Sequence, residues 1–344
     1  MDLSVKLYRI ESQRLKSSEI YYLVKDIRLK DRTLKVRERI GKTRPTQQEE
    51  SELNSTPSIT LEVKSLYKKI DLSKGQSKAR YLKLDDPLRL ERTRYWREFF
   101  SLFLTTSEEQ YFEDEGEVDY VHGTTAIEGN TFTVQQVDDL LRRGLSPSGK
   151  SLREINEVQN YLKVREIRES YGGKVTIQFI RRLHALIMDN IDLQSAGMFR
   201  RIDGIGIVGV DDAMTPAILI EGELQRIIGE YYENLSMGWS PFEEAVLFHY
   251  RFEMIHPFTD GNGRVGREIL NHMLTRAGYP RLIFTKAGRE DYIDALHHGN
   301  RGLFEPMISR FIDLLIDKRA DLFEDILKGK INPGSQTLDR RART

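Results

Sequence analysis

Apolar residues recur at helical spacing from about residue 120 to residue 328, and this pattern constrains the larger part of the chain to an α fold. Thr133 with Gln136 forms a capping-box pattern and Gly144 provides a stop, which predicts a helix over 134–143. Pro216 and Pro241 each stand where a helix could begin. Further helices are predicted from Leu152 towards Gly172, from Thr176 through Ile187, and at 241–256, 263–277, 289–298 and 305–328.

The first 40 residues follow a different pattern, in which β-favouring residues alternate with charged ones. The segment 31–33 reads as a tight turn between two strands, one at 27–29 and one at 34–36. Large apolar residues are few over 43–60, which favours a linker or a long exposed loop. We therefore predict a small, partly β N-terminal region over 1–90 and a helical core over 95–320, followed by a helix end and tail over 321–344.

Charge and composition exclude several classes of protein. Lys and Arg total 53 and Asp and Glu total 53, so the formal net charge is zero and offers no general attraction for nucleic acid or anionic membranes. The absence of cysteine excludes disulfides, thiolate metal sites and cysteine nucleophiles. No apolar run is long enough to span a membrane and the N-terminus lacks the apolar stretch of a secretory signal. We expect a soluble cytoplasmic protein with no membrane partner.

Two local charge clusters deserve separate interpretations. Residues 1–50 carry 13 Lys and Arg against 8 Asp and Glu. This excess could form a nucleic-acid or protein surface, but the solvated face of a small sheet is the favoured interpretation. Residues 107–119 carry seven acids without the spacing of a calcium loop, which favours a solvated helix end or loop over a metal site.

The segment 256–267, His-Pro-Phe-Thr-Asp-Gly-Asn-Gly-Arg-Val-Gly-Arg, lies between two amphipathic stretches and carries most of the chemistry. Pro257 disfavours a helical conformation at His256, so the upstream helix should end there. Gly261 and Gly263 permit positive φ and close approach of the backbone to a ligand. Successive N–H groups at the start of the next helix form a binding site for an anion.

The charged side chains of this segment fit a polyphosphate ligand. Arg264 and Arg267 lie on one side of the following helix near its first turn, where cations oppose the helix dipole unless an anion binds there. Asp260 is a hard oxygen ligand suited to Mg²⁺. The unperturbed pKa of a histidine side chain makes His256 a candidate for general-base catalysis near neutrality.

These residues resemble the Fic family, whose core motif HPFx[DE]GNGRxxR is matched in full from His256 to Arg267. The resemblance implies a helical Fic core with a short β-hairpin flap. It also implies an adenylyltransferase that moves AMP from ATP to a Tyr, Thr or Ser hydroxyl of a protein, itself included, with Mg²⁺ or Mn²⁺ as cofactor. Phosphoryl-type transfer of this kind depends mainly on positioning and charge neutralisation.

The resemblance also implies a role for each motif residue. His256 is the catalytic base, and Asp260 holds the metal ion. Asn262 and the amides of the two glycines surround the phosphates, Arg264 contacts them, and Arg267 pairs with the γ-phosphate. Phe258 is expected to anchor the loop in the core.

Two further segments are similar to parts of the same family. Residues 197–200 with a predicted hairpin at about 204–215 resemble the flap that aligns the target segment. Residues 289–306 resemble the segment whose Tyr and Asn line the adenine pocket, which makes Tyr292 and Asn300 candidates there. A core tyrosine and a helix-ending asparagine are the structural alternatives.

The segment 124–130, Thr-Thr-Ala-Ile-Glu-Gly-Asn, resembles the family's inhibitory motif [ST]xxxE[GN]. This places the chain in the class with an N-terminal inhibitory helix, here at about 121–130. Thr124, Glu128 and Gly129 are the matching residues. The carboxylate of Glu128 would occupy Arg267 in place of the γ-phosphate. The same glutamate could also orient water for de-AMPylation, and self-association could tune the inhibition.

Alternative functions stay open at this stage. The chain could be a nucleotide-sensing or DNA-binding regulator with a mostly silent core, although an intact His256 favours chemistry. It could transfer phosphate or phosphocholine instead, but Doc-like relatives depart from the Gly-Asn-Gly pattern that Gly261 and Gly263 preserve. A histidine metal centre is disfavoured because the histidines lack suitable spacing.

Overall fold

The computed structural model describes residues 8–15, 18–28, 33–55, 57–73, 77–102, 104–203 and 215–315. Most of the predicted hairpin at 204–215, most of the turn at 31–33, the predicted helix beyond residue 315 and the tail at 321–344 lie outside the described residues. The described residues form two compact units. One lies within 8–73 and 91–107, and the other within 77–90 and 108–315. The predicted domain limits, 1–90 and 95–320, stay predictions.

The smaller unit contains a three-stranded antiparallel sheet in the order β1-β2-β3, formed by β1 (Arg9–Leu15), β2 (Ser18–Arg28) and β3 (Thr33–Gly41). Two helices follow, α1 (Gln47–Ser55) and α2 (Ile59–Ser73). Leu23 of β2 and Leu61 of α2 are buried in one apolar cluster, so the central strand packs against this helix. The prediction of strands near residues 27–36 is confirmed, and β1 is an additional strand.

The prediction of a linker over 43–60 is wrong for residues 47–55, which form α1. Thr46 begins the helix with a reciprocal capping box. Its hydroxyl accepts a hydrogen bond from the Glu49 N–H at 3.3 Å, and its own N–H donates to the Glu49 carboxylate at 2.7 Å. The Gln and Glu residues that made this segment read as a loop are good helix formers once such a cap is present.

The larger unit is a helical assembly, and its sequence-predicted helices are found with small shifts at their ends. Apart from α3 (Asp86–Ser101), most of which belongs to the smaller unit, the helices are α4 (Thr106–Ile127), α5 (Val134–Arg143), α6 (Leu152–Ser170), α7 (Ile177–Ile187), α8 (Ile220–Ser236), α9 (Pro241–Ile255), α10 (Asn262–Arg276), α11 (Arg289–Asn300) and α12 (Phe304–Leu315). Pro216 precedes a short 3-10 turn at Ala217–Leu219, and Pro241 is the first residue of α9. None of the helices in the described ranges is long and apolar enough to cross a membrane.

Helices α9 and α10 lie at the centre of the larger unit and position the loop between them. Phe242, Phe248 and Phe252 of α9 are buried, as are most residues of α10. The two helices approach closely at Gly266, where an added Cβ would lie 2.2 Å from the Glu253 carboxyl. Because the loop joins two fully packed helices, its ends are fixed by the core.

Helix α4 is brought to this centre by a second glycine contact. An added Cβ at Gly123 would lie 1.5 Å from the carbonyl oxygen of Phe284, so only glycine fits there. This close approach sets the position of Thr124 and Glu128 in the turns that follow.

Candidate active site

His256 ends α9 in a left-handed conformation, with φ 47° and ψ 62°. Non-glycine residues seldom adopt this conformation, and it agrees with the helix end predicted from Pro257. The half-buried imidazole lies at the entrance of the loop. Burial lowers the pKa of His256, and the nearby Arg200 guanidinium acts in the same direction.

Arg200 is a buried cation that fixes the start of the loop. Its N–H donates to the Pro257 carbonyl at 2.9 Å, and its guanidinium donates to the carbonyls of His256 at 2.9 Å and Ile255 at 3.3 Å. A fourth donation reaches the Thr215 carbonyl. These bonds satisfy carbonyls left free at the end of α9 and hold the backbone of His256 in place.

The middle of the loop is closed by Asn262 and anchored by Phe258. The Asn262 side chain accepts from the Phe258 N–H and donates to the Phe258 carbonyl, both at 2.8 Å. The ring of Phe258 is fully buried and stacks on His184 at a centroid distance of 3.7 Å. The core position predicted for Phe258 is confirmed. Asn262 is 2% exposed, so its side chain shapes the loop from within.

Gly261 and Gly263 leave the start of α10 free of side chains. Gly261 has φ 78° and caps the helix without a side-chain hydrogen bond. An added Cβ at Gly263 would lie 2.5 Å from the Glu128 carboxylate and 2.9 Å from the Arg267 guanidinium. A carboxylate therefore already lies against the N-terminal turn of α10, where the helix dipole and free N–H groups favour an anion.

Asp260 lies between two arginines at the edge of the loop. One carboxylate oxygen is 3.2 Å from Arg264, and the other pairs with Arg153 of α6. Partial burial alone would raise the pKa of Asp260, but Arg264 and Arg153 lower it below the usual value. Asp260 is therefore ionised, and its 42% exposed side chain offers the negatively charged oxygens that a hard cation binds.

Arg264 is 1% exposed and only partly satisfied. It faces Asp260 and lies 3.4 Å from the Glu157 carboxylate. Its Nε and one terminal nitrogen, Nη1, make no hydrogen bond among the described residues. Buried donors without acceptors are costly, so this guanidinium has donor capacity for an anionic ligand.

Arg267 is held by the segment that ends α4. Its Nε donates to the Thr124 hydroxyl at 2.8 Å, and its Nη2 donates to the Thr124 carbonyl at 2.9 Å and to Glu128 at 2.7 Å. Burial alone would raise the pKa of Glu128, but Arg267 lowers it below its usual value. The three predicted motif residues Thr124, Glu128 and Arg267 are thus in direct contact.

The polar groups behind Arg267 are neutral near pH 7. Burial raises the pKa of Glu253 to about 8 and lowers that of His249 to about 3. Tyr292 donates to or accepts from His249 at 2.9 Å. Within the described part of the chain, Glu128 is the one carboxylate within ion-pair distance of Arg267. An anion that replaced the Glu128 carboxylate would therefore form the ion pair with Arg267 in its place.

The turn after Glu128 is also tied to the core. Gly129 has φ 99°, a conformation that favours glycine. Asn130 donates to the Glu157 carboxylate at 3.1 Å and to the Glu154 carbonyl at 3.0 Å. The turn thereby fixes the end of α4 against α6.

Tyr292 and Asn300, the two candidates for an adenine pocket, lie at different places on α11. The Tyr292 ring is 4% exposed and packs among aromatic rings beside Arg267, as a core tyrosine would. Asn300 is the last residue of α11, and its buried side-chain oxygen has no partner among the described residues. Their assignment to an adenine pocket stays a prediction.

The residues present fit a magnesium ion bound together with phosphates. Among the described residues, no group of three or more His, Asp or Glu side chains is placed to hold a metal by itself. Mg²⁺ is usually bound by one or two carboxylates, water and substrate phosphates. A single exposed, ionised Asp260 beside a binding site for anions matches that donor set.

Three residues of the site were missed by sequence reasoning: Arg153, Glu157 and Arg200. Each contacts the loop although it lies more than 50 residues away in the sequence. The separation is 107 residues for Arg153 and Asp260, and 56 residues for Arg200 and His256. Arg200 lies in the segment that resembles the flap, which was the one available signal. Arg153 and Glu157 read only as surface charges of an amphipathic helix.

The mainly α core places the loop 256–267 between its two central helices, α9 and α10. Residues 174–274 match the model of the Fic/DOC family. The matched residues include the whole loop 256–267. Glu128 and Tyr292 lie outside them.

Several curated proteins named as adenylyltransferases are similar to this chain. The chain is 32% identical over 195 residues to the protein adenylyltransferase fic-1 of Caenorhabditis briggsae, which covers 55% of this chain and 38% of the relative. It is 34% identical over 222 residues to the protein adenylyltransferase Fic of Drosophila ananassae, with coverage of 62% and 42%. The chain thus spans about two fifths of the length of the curated relatives it matches.

Solved structures confirm the predicted fold class. A segment of Fic-1 from C. elegans aligns with a TM-score of 0.60 at 24% identity, covering 83% of this chain and 78% of that chain. A Fic domain containing signaling protein from Bacteroides thetaiotaomicron aligns with a TM-score of 0.57 at 22% identity, with coverage of 78% and 98%.

Proposed function

We propose that this chain is a protein adenylyltransferase that transfers AMP from ATP to a hydroxyl side chain of a protein, itself included. The observation that carries the proposal is the loop 256–267, which places a base, an ionised carboxylate and two buried arginines around one helix N-terminus. The names of the curated relatives support the same reaction.

His256 would take the proton of the target hydroxyl. The hydroxyl oxygen then bonds to the α-phosphorus of ATP, the bond from that phosphorus to the bridging oxygen breaks, and pyrophosphate leaves. Burial keeps His256 neutral and ready to accept a proton near pH 7. Arg200 donates to the main-chain carbonyls of Ile255 and His256 and thereby holds the backbone from which the imidazole extends.

The remaining residues would bind and orient the nucleotide. Asp260 would hold Mg²⁺, which neutralises phosphate charge when it is bound. The N–H groups of Asn262 and Gly263 in the first turn of α10 and the unsatisfied donors of Arg264 would donate to phosphate oxygens. Arg267 would pair with the γ-phosphate once Glu128 has left it.

We infer self-inhibition from the contact between Glu128 and Arg267. The carboxylate lies where a phosphate group would have to lie, because both need the same guanidinium and the same helix terminus. If ATP binds while Glu128 occupies Arg267, its γ-phosphate cannot pair with Arg267. The α-phosphate would then lie away from His256. Removal of the Glu128 side chain leaves Arg267 without a carboxylate partner and should raise AMP transfer.

The test is incubation of purified protein with α-³²P-ATP and Mg²⁺, comparing wild type, Glu128→Gly and the double variant Glu128→Gly/His256→Ala. We expect strong labelling of Glu128→Gly, faint labelling of wild type, and none of Glu128→Gly/His256→Ala. Equal labelling of wild type and Glu128→Gly, with equal ATP binding, would contradict the inhibitory role. Labelling from γ-³²P-ATP but not from α-³²P-ATP would replace AMP transfer by phosphate transfer.

A further inference from the structure

The carboxylate of Asp260 belongs to a closed ring of four alternating charges. Arg153 contacts both Asp260 and Glu157, the latter at 3.2 Å. Glu157 lies 3.4 Å from Arg264, which returns to Asp260 at 3.2 Å. Both cations of the ring therefore face the carboxylate that the proposed function assigns to the metal ion.

Each oxygen of Asp260 is already occupied in this arrangement. Oδ1 accepts from Arg264 and from the N–H of Gly261, and Oδ2 accepts from Arg153. A cation that binds Oδ2 is repelled by the Arg153 guanidinium and competes with it for the same oxygen. The alternative, displacement of Arg264, would move a buried guanidinium.

The two arginines differ in how freely they can leave. The side chain of Arg264 is 2% exposed, whereas that of Arg153 is 55% exposed. Arg153 is also the second residue of α6, where a cation opposes the helix dipole. If Arg153 moved away, the buried Glu157 would still have two polar partners, Arg264 and the Asn130 amide.

We propose that Arg153 is a resident cation that a divalent metal ion displaces from Asp260, and that it thereby sets the affinity of the site for the metal. This inference rests on the proposed function only in the choice of Asp260 as ligand. Arg153 acts here as a positioning residue through Asp260 and takes no part in the transfer itself. Loss of its charge removes both the competition for Oδ2 and the repulsion of an incoming cation.

The test measures metal binding and not activity. Mn²⁺ is titrated into the full chain in the presence of a non-hydrolysable ATP analogue, and free Mn²⁺ is followed by electron paramagnetic resonance. Arg153→Gln is compared with wild type, with Arg153→Lys and with Asp260→Asn. Arg226→Gln is the matched control, because Arg226 is a similarly exposed arginine paired with two acids on α8.

We expect Arg153→Gln to lower the dissociation constant of Mn²⁺ about twofold to fivefold, the range typical of an exposed ion pair. Arg226→Gln and Arg153→Lys should stay near wild type, and Asp260→Asn should lose the binding. An unchanged constant in Arg153→Gln, with binding still lost in Asp260→Asn, would overturn the inference and leave the proposed metal ligand intact. Unchanged binding in Asp260→Asn would overturn both, while the labelling experiment tests AMP transfer independently.

Discussion

At the scale of single residues, the protonation of His256 links local structure to the proposed chemistry. An imidazole accepts a proton only in its neutral form. Burial and the Arg200 guanidinium lower the pKa of His256, while the Glu253 carbonyl and the carboxylates of Glu128 and Asp260 oppose the shift. A lower pKa means that a larger fraction is neutral at any given acidic pH.

We therefore predict that AMP transfer by Glu128→Gly persists to lower pH than an ordinary histidine base would allow. Removal of the Glu128 carboxylate shifts the pKa further in the same direction. Initial rates of labelling from about pH 5 to about pH 9 should show an acid limb with its midpoint below the ordinary imidazole value of about 6.5. A midpoint above that value would contradict the role of burial at His256.

The sequence predicted the residues of the loop better than their partners. Pro257 and the glycines act within a few positions, so the helix end at His256 and the open helix start at Gly261 could be predicted from local rules. The pairing of Asp260 with Arg153 could not, because it depends on how α6 packs beside the loop. Residue types and spacing carry no information about such distant contacts.

At the scale of the elements, α4 is fixed to the core by a buried charge cluster. Glu117 is 5% exposed and pairs at 2.6 Å with both Arg168 of α6 and Arg281. Arg168 also contacts Glu268 of α10. The interpretation of residues 107–119 as solvated acids is therefore wrong for Glu117, whose neighbours along the chain gave no sign of its burial.

We predict that Glu117→Ala destabilises the fold by about 3–5 kcal/mol, because it leaves two buried guanidinium groups without their shared carboxylate. The matched control is Glu115→Ala on the same helix. Glu115 forms an exposed pair with Arg142, so its loss should cost about 1 kcal/mol or less. Chemical denaturation followed by helical circular dichroism measures both, and equal losses would contradict the anchoring role of Glu117.

Helix prediction succeeded where a cap and a stop were both present. Thr133, Gln136 and Gly144 form the capping box and left-handed end of α5 that the sequence predicted. The error at α1 arose because its polar composition concealed a Thr46 cap of the same kind. Apolar periodicity identifies helices that are buried on one face, and it is weak for short helices that are mostly polar.

At the scale of the whole molecule, the zero net charge conceals a basic N-terminal segment in which one acid pairs with three of the cations. Glu11 contacts Arg9 at 2.8 Å, Lys35 at 2.9 Å and Arg37 at 3.2 Å. Hydrogen bonds from Lys35 and Arg9 lower the pKa of Glu11 to about 2. One acid on β1 thus faces three of the cations that gave this segment its positive excess.

This pairing predicts weak binding to nucleic acid. Fluorescence anisotropy with a short duplex should give a dissociation constant weaker than about 1 μM at physiological salt, the range of non-specific binding. Glu11→Gln releases the paired cations and should tighten this binding, whereas Glu221→Gln, the same charge change at an exposed position on α8, should have less effect. The comparison separates local charge from net charge, because both variants gain one positive unit. Nanomolar, steeply salt-dependent binding by wild type would mean that the sheet recognises DNA despite its internal pairing, and would favour a DNA-binding regulator over a dedicated transferase.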